Sequence, residues 1–266
     1  MHYILSPIFP VIIIDDSIIK LNFIYKIFVL MEDEIDFSNC IFYHPLCELN
    51  VNELKPEKNE RVLKRDHIKL LTYNIFLRPP PVKNNDNDWK DERLEDFCKI
   101  LHNYDVICLQ EMFGALNSRK QTLIRMASKS GYFFYIDTSS PSFLSKYMVD
   151  GGLLILSRFP IISYSFCSYR YGVISDSLAQ KGVLYAKILI KDCCFHLFTT
   201  HLQASYLYSG EYHFRVSCET RMAQISQISY IMSEILKSEY HSRDKILLVG
   251  DFNVDAQKYY FKKPVM

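Results

Sequence analysis

From about His67 onward, short apolar runs rich in β-branched residues alternate with segments of helical period, and this alternation constrains the fold more than any other feature of the chain. Ile68–Ile75, Asp105–Glu111, Gly152–Ser157, Val183–Ile190, Cys194–Leu202 and Lys245–Val254 have the length and composition of buried strands. Asp91–Tyr104 places Leu94, Phe97, Cys98 and Leu101 on one face of a helix. Glu219–Lys237 does the same with Met222, Ile225, Ile228, Met232, Ile235 and Leu236. Strands dominate and helices are interspersed, so the expected class is a layered α/β or α+β sandwich.

Polar residues recur where the predicted strands end. Asn74 closes the first, Gln110-Glu111 the second, Thr199-Thr200-His201 a later one and Gly250-Asp251-Phe252-Asn253 the last. Singly, each reads as an amide or carboxylate capping a loop. Four such strand ends in one chain point to a site, because layered α/β enzymes assemble theirs from the loops at strand ends. The residue types suit phosphodiester hydrolysis. Mg²⁺ takes oxygen ligands and keeps several waters, so Glu111 with an amide oxygen from Asn74 meets its needs. No His or Cys cluster of zinc-ligand spacing occurs. His201 and Asn253 can donate hydrogen bonds as charge builds on phosphoryl oxygens. Asp251 can orient the attacking water or help the leaving oxygen take its proton.

Composition bounds the rest. A chain of 266 residues is long enough for one large domain, and 49% apolar with 23% charged residues is ordinary for a globular protein. A net charge of +1 argues against general attraction to nucleic-acid backbones. The eight cysteines contain no CxxC pair and read as reduced, mostly buried thiols, Cys108 within a strand. Residues 1–65 read as a leader. Its apolar run Ile4–Ile14 is broken by Asp15 and Asp16, and the next run carries Lys20 and Lys26, too polar for a spanning helix. A signal anchor and a translation start at Met31 both remain open for it. A cytoplasmic or peripheral-membrane location is expected, with secretion or anchoring as the alternatives.

The motifs resemble a known group. Leu109-Gln110-Glu111, Thr200-His201 and Gly250-Asp251-Phe252-Asn253 resemble the endonuclease/exonuclease/phosphatase superfamily. Between them, Thr72-Tyr73-Asn74-Ile75-Phe76, Asp150-Gly151-Gly152 through Ser157-Arg158-Phe159-Pro160, and Gln180-Lys181-Gly182-Val183-Leu184-Tyr185-Ala186-Lys187 are similar to the neutral sphingomyelinase family. His201-Leu202-Gln203-Ala204 and a helix carrying Thr220-Arg221 and Gln224 extend that similarity. It covers roughly residues 66 to 257, with the motifs in order. It implies a catalytic domain over 66–266 built as a four-layered sandwich, two face-to-face mixed β-sheets flanked by helices. It also implies Mg²⁺ (with Mn²⁺ as a substitute) held by Glu111 and Asn74. His201 and Asn253 would contact phosphate, Asp251 would act on nucleophile or leaving group, and Lys181 would lie near the substrate phosphate, against the alternative of a solvated strand-edge lysine. The implied substrate is sphingomyelin in a membrane, met by a monomer through peripheral contact of apolar loops, with no nucleic-acid partner.

The resemblance further predicts a later strand ending in Asp-His, whose histidine would act as general base. Thirteen residues follow Asn253 and contain no such pair, and the one Asp-His, Asp66-His67, precedes the first strand. General-base assistance is worth about 10²–10⁴-fold in rate. The expectation is therefore a weakly active or inactive domain lacking its C-terminal strands, with a sheet edge uncovered. An abasic-site nuclease of the same superfamily and a non-catalytic pseudoenzyme are the competing readings.

Overall fold

The computed structural model describes residues 12–14, 68–82, 88–142, 144–205 and 211–254. Strand β1 (Ile12–Ile14) is followed by β2 (Leu70–Leu77), α1 (Lys90–Ile100), β3 (Val106–Met112), α2 (Arg119–Lys129), β4 (Phe134–Asp137), β5 (Leu154–Ser157), β6 (Ile161–Ser168), β7 (Gly182–Ile190), β8 (Cys193–His201), α3 (Glu211–Glu239) and β9 (Lys245–Asp251). Short 3₁₀ turns cover Leu101–Asn103 and Ile174–Leu178.

These strands form two mixed sheets, ordered β1-β9-β8-β7-β6 and β2-β3-β5-β4. Side-chain alternation along each strand then builds four layers. Val106 and Cys108 of β3 point between the sheets, where they meet Leu184, Ala186 and Ile188 of β7, Leu197 of β8 and Val249 of β9. Their neighbours Ile107 and Leu109 point the other way, onto Leu94 and Phe97 of α1 and Leu123 of α2. On the far side Val183, Tyr185 and Phe198 pack under Ile228, Ile231 and Ile235 of α3. The expected sandwich of two facing sheets with helices outside is what the chain adopts.

Each sheet contains one parallel pair, β2 with β3 and β8 with β9, in register at Asn74↔Gln110 and His201↔Asp251. A parallel pair ends both strands at the same edge, and the two pairs face one another across the core. That arrangement positions the site.

The differences from expectation lie where the apolar signal is weak. Helix α2 was not expected: its buried face is Lys120, Leu123 and Ala127, a short stripe containing a charge. Strands β4 and β6 are sheet edges, the first only four residues long and the second punctuated by serines. Helix α3 begins at Glu211 rather than Glu219, and Met222 is exposed while Ile231 takes the core position. Within the leader the description is confined to Ile12–Ile14, which pair antiparallel with Ile246–Leu248 and so occupy the free edge of β9. Asp66-His67 lies outside the described residues. Cys98, Cys108, Cys167, Cys193, Cys194 and Cys218 are free thiols. Among the described residues no helix is long and apolar enough to cross a membrane.

Candidate active site

The carboxyl ends of the two parallel pairs converge on Asn74. Its Nδ2 donates to Glu111 Oε1 at 2.9 Å and to Asp251 Oδ2 at 2.9 Å, joining the sheets, while its Oδ1 accepts from the Phe76 amide at 3.0 Å. The backbone is shaped for this. The β2–β3 register slips between Asn74 and Leu77, a bulge of the kind that re-aims side chains beside sites. Phe76, Glu111 and Asn253 all hold positive φ, at 58°, 55° and 53°, a sparsely populated region that non-glycine residues keep at a cost of about 1–3 kcal/mol. Gly250, just before Asp251, has φ of 141°, and a Cβ there would stand 2.1 Å from the Thr200 carbonyl oxygen, so only glycine lets β9 lie this close to β8.

One layer below, Gln110 Nε2 donates to Thr72 Oγ1 and Thr199 Oγ1, both at 3.2 Å, and ties β2 and β3 to β8 beneath the polar cluster. Below it the sandwich is apolar.

Glu111 is buried, and burial raises its pKa against the lowering effects of the Asn74 hydrogen bond, Lys181 and Arg78. Among the described residues its Oε2 has no hydrogen-bond partner, and Arg78 Nε stands 3.8 Å away. His201 is buried too, and desolvation together with Lys181 holds its pKa well below the usual value, so the ring is neutral at pH 7. Its Nε2 lies 3.4 Å from Lys181 Nζ and 3.8 Å from Asp251 Oδ2, and its Nδ1 has no partner among the described residues. With Nε2 facing an ammonium, the ring proton belongs on Nδ1, leaving an unused donor.

Lys181 is no solvated strand-edge residue. It is buried, donating to Asp176 Oδ2 at 2.8 Å and to the Leu202 carbonyl at 2.9 Å. Asn253 donates through Nδ2 to the same carbonyl at 2.8 Å, and its backbone N–H reaches Asp251 Oδ1 at 2.9 Å. All six residues singled out in the sequence thus meet at one edge of the sandwich. Asn74, however, turns its amide N–H groups rather than its oxygen toward Glu111.

Two participants were missed. Asp176 sits in the 3₁₀ turn before β7 and accepts from both Lys181 and the Ala204 amide, at 2.8 Å each. A single acid in an aperiodic loop carries no signal of its own. Its spacing five residues ahead of Lys181 was the clue available. Arg78 follows β2 directly. The motif helix explains itself here, since Arg221 donates to the Gln203 carbonyl at 2.6 Å and Gln224 accepts from the Gln203 amide at 2.8 Å, fixing the loop after His201.

Among the described residues no three His, Cys, Asp or Glu side chains are grouped as a protein-only metal cage. A Mg²⁺ site does not require one, since the ion retains water and binds through one or two carboxylates. The partnerless Oε2 of a buried glutamate fits that role.

A profile of the Endonuclease/Exonuclease/phosphatase family matches residues 71–265. A sphingomyelinase of Dictyostelium discoideum is 30% identical over 298 aligned positions, covering 71% of this chain and 65% of that protein. Sphingomyelinase C 2 of Leptospira interrogans is 30% identical over 213 positions, covering 74% of this chain and 32% of its own. A beta toxin mutant from Staphylococcus aureus, solved with bound magnesium ions, has the same fold, with a TM-score of 0.60 and 24% identity over 71% of this chain and 66% of the other. The chain therefore spans just under two thirds of the Dictyostelium relative and a third of the Leptospira one. These relatives agree with the sphingomyelinase resemblance read from the motifs. The chain belongs to the Endonuclease/Exonuclease/phosphatase family.

Proposed function

We propose that this domain is a Mg²⁺-dependent phosphodiesterase that hydrolyses sphingomyelin to ceramide and phosphocholine. The observation that carries the reaction class is the Asn74 bridge, which gathers Glu111 and Asp251 from opposite sheets into one polar cluster. The lipid substrate is supported by relatives named as sphingomyelinases.

Glu111 is the residue to hold the cation, with Asn74 beside it, and a bound Mg²⁺ (or Mn²⁺) supplies charge neutralisation and polarisation at the phosphate. The chain's own groups do the rest. Lys181 places a positive charge beside the phosphate site, and its lock to Asp176 and the Leu202 carbonyl sets its direction. His201, neutral and with an Nδ1–H unpaired among the described residues, donates to a phosphoryl oxygen as negative charge accumulates. Asn253 can turn its amide from the Leu202 carbonyl to the same oxygens. Asp251, held by Asn74 and the Asn253 amide, orients the water or assists the departing ceramide oxygen. Water adds to phosphorus, the P–O bond to ceramide breaks, and that oxygen leaves with a proton.

The test offers the purified chain sphingomyelin and abasic-site DNA side by side, with Mg²⁺ and with EDTA. Slow Mg²⁺-dependent release of phosphocholine, in line with the weak activity expected from the sequence, and no DNA scission is the expected result. DNA scission alone would move the protein to the nuclease reading. Mg²⁺ binding without turnover of either would move it to the non-catalytic one.

A further inference from the structure

Two neighbouring loops next to the site expose large apolar side chains. In 144–148, Leu144 is 92% and Met148 72% exposed; in 171–178, Tyr171 is 60%, Leu178 45% and Ile174 41% exposed. The loops are one surface: Met148 and Val149 donate their amides to the Leu178 carbonyl at 2.8 and 3.2 Å, and Tyr147 donates its hydroxyl to the Tyr169 carbonyl at 3.0 Å. Their backbone is served from below. Gln224 Nε2 donates to the Tyr171 carbonyl, Gln227 Oε1 accepts from Arg170, and Gln203 grips both backbone groups of Val173. Ile174 holds a φ of 55°, a conformation β-branched residues rarely adopt. The surface therefore pairs much of its backbone from within, at 148–149, 170–171, 173 and 178, under outward apolar side chains, which lowers the cost of contact with an apolar phase.

Its charges have one sign. Lys146 lies over the Tyr147 ring and Arg170 over the Tyr171 ring, with the cations 5.0 and 5.2 Å from the ring centroids. The acids of these two loops and their flanks are Asp150, which is buried, and Asp176, which is engaged by Lys181. Exposed aliphatics ringed by tyrosines and cations suit the boundary between acyl chains and phosphate headgroups. The turn that exposes Ile174 and Leu178 also holds Asp176, whose partner Lys181 stands against His201.

We propose that loops 144–148 and 171–178 form a membrane-docking platform that seats this edge of the sandwich on a phospholipid bilayer and presents the Lys181–His201 cluster to the headgroup layer. The proposal rests on the lipid-substrate reading above and names the surface that would serve it.

The experiment is flotation of the full chain with phosphatidylethanolamine–phosphatidylglycerol vesicles, which hold no sphingomyelin, so that turnover of the proposed substrate plays no part. The wild-type chain should float. The double variant Leu144→Ser/Met148→Ser should lose about tenfold or more in partitioning, given the free energy of burying two such side chains. The charge variant Lys146→Glu should weaken binding more at low salt than at high. Circular dichroism melting confirms that both variants fold, and hydrolysis of a short-chain, monomeric sphingomyelin should be unchanged in them. Equal flotation of wild type and double variant, or none by the wild type, overturns the proposal. So does a wild-type dimer in sedimentation equilibrium that the double variant converts to monomer, since the surface would then belong to a second copy. Vesicle binding lost in the variants without sphingomyelin hydrolysis by any form would remove the function reading and leave this one standing.

Discussion

Two buried histidines on β8, five residues apart, show the difference between a structural polar cluster and a reactive one. His196 lies beneath the end of α3, its Nδ1 at 2.8 Å from the Tyr185 hydroxyl and its Nε2 at 3.0 Å from Asp244 Oδ2. Asp244 in turn accepts from the amides of His241 and Cys194. Every group is used, so the cluster pins the start of β9 to β8 and offers nothing to a ligand. His201, at the carboxyl end of the same strand, keeps a buried Nδ1 without a partner among the described residues, as Glu111 keeps Oε2, and the backbone around them holds positive φ at three residues. Burial depresses both histidines, so charge state does not separate them. Unmet hydrogen-bonding capacity does, and a native fold retains it where a ligand will supply the missing partner.

That contrast can be broken most decisively at Glu111. Glu111→Gln should cut Mg²⁺-dependent hydrolysis by roughly 10³-fold or more, since polarisation at phosphorus is worth several kcal/mol. Its melting temperature should hold or rise, because a desolvated charge has been removed. A large fall in melting temperature with turnover intact would make Glu111 a structural residue. His201→Gln should lower kcat by about 10²–10³-fold, the loss of one positioned donor, again with little change in melting. His196→Ala should do the reverse. Leaving Asp244 and the Tyr185 hydroxyl unpaired costs about 1–3 kcal/mol, or roughly 2–4 °C per kcal/mol in thermal unfolding, with turnover per folded molecule unchanged. Lost turnover in that variant at a temperature where it is fully folded would erase the distinction.

The smallest effect is pH-dependent. Both histidines have folded pKa values below the ordinary one, so as pH falls through about 6.5 the unfolded chain takes protons that the folded chain refuses. Stability is full above that pH and declines below it, by at most about 1.4 kcal/mol per pH unit for each histidine, until the folded forms titrate. Asp244 acts at lower pH. Burial raises its pKa, but hydrogen bonds from His196 and two amides hold it below the usual carboxylate range, so its contribution is lost as pH falls through that depressed value. Melting curves of wild type and His196→Ala between pH 7 and 5 check this: the variant should show the shallower decline, and equal slopes would exclude His196 as a source.

Much of the fold was legible because its signals are local. The core strands read as unbroken apolar runs since both sheet faces are covered, and α1 and the second half of α3 show helical spacing. The missed elements carry their burial in residues that do not look apolar: Lys120 in α2, paired with Asp137 and Asp150, and the serines of β6. Met222 misled because the N-terminal half of α3 buries Ser217, Thr220, Arg221 and Gln224 against the site loops, placing polar residues inside and a methionine outside. The site was legible as residues, since polar groups at the ends of apolar strands stand out. Its wiring was not, and Asp176 shows why: apart from its spacing to Lys181, nothing in its own neighbourhood distinguishes it from a solvated loop acid.

The sequence by itself determined the core strands, α1, the second half of α3 and the chemical groups at the strand ends, because unbroken apolar runs, a period of 3.6 and the turns between them are written in consecutive residues. Only the tertiary structure decided that two parallel pairs face each other, that β1 takes the free edge of β9, and that Asn74 grips Asp251 from 177 residues away. Only it decided which buried atoms go unpaired. A hydrogen-bond inventory is closed by neighbours in space, so the difference between His196 and His201, invisible along the chain, exists only once the sheets are stacked.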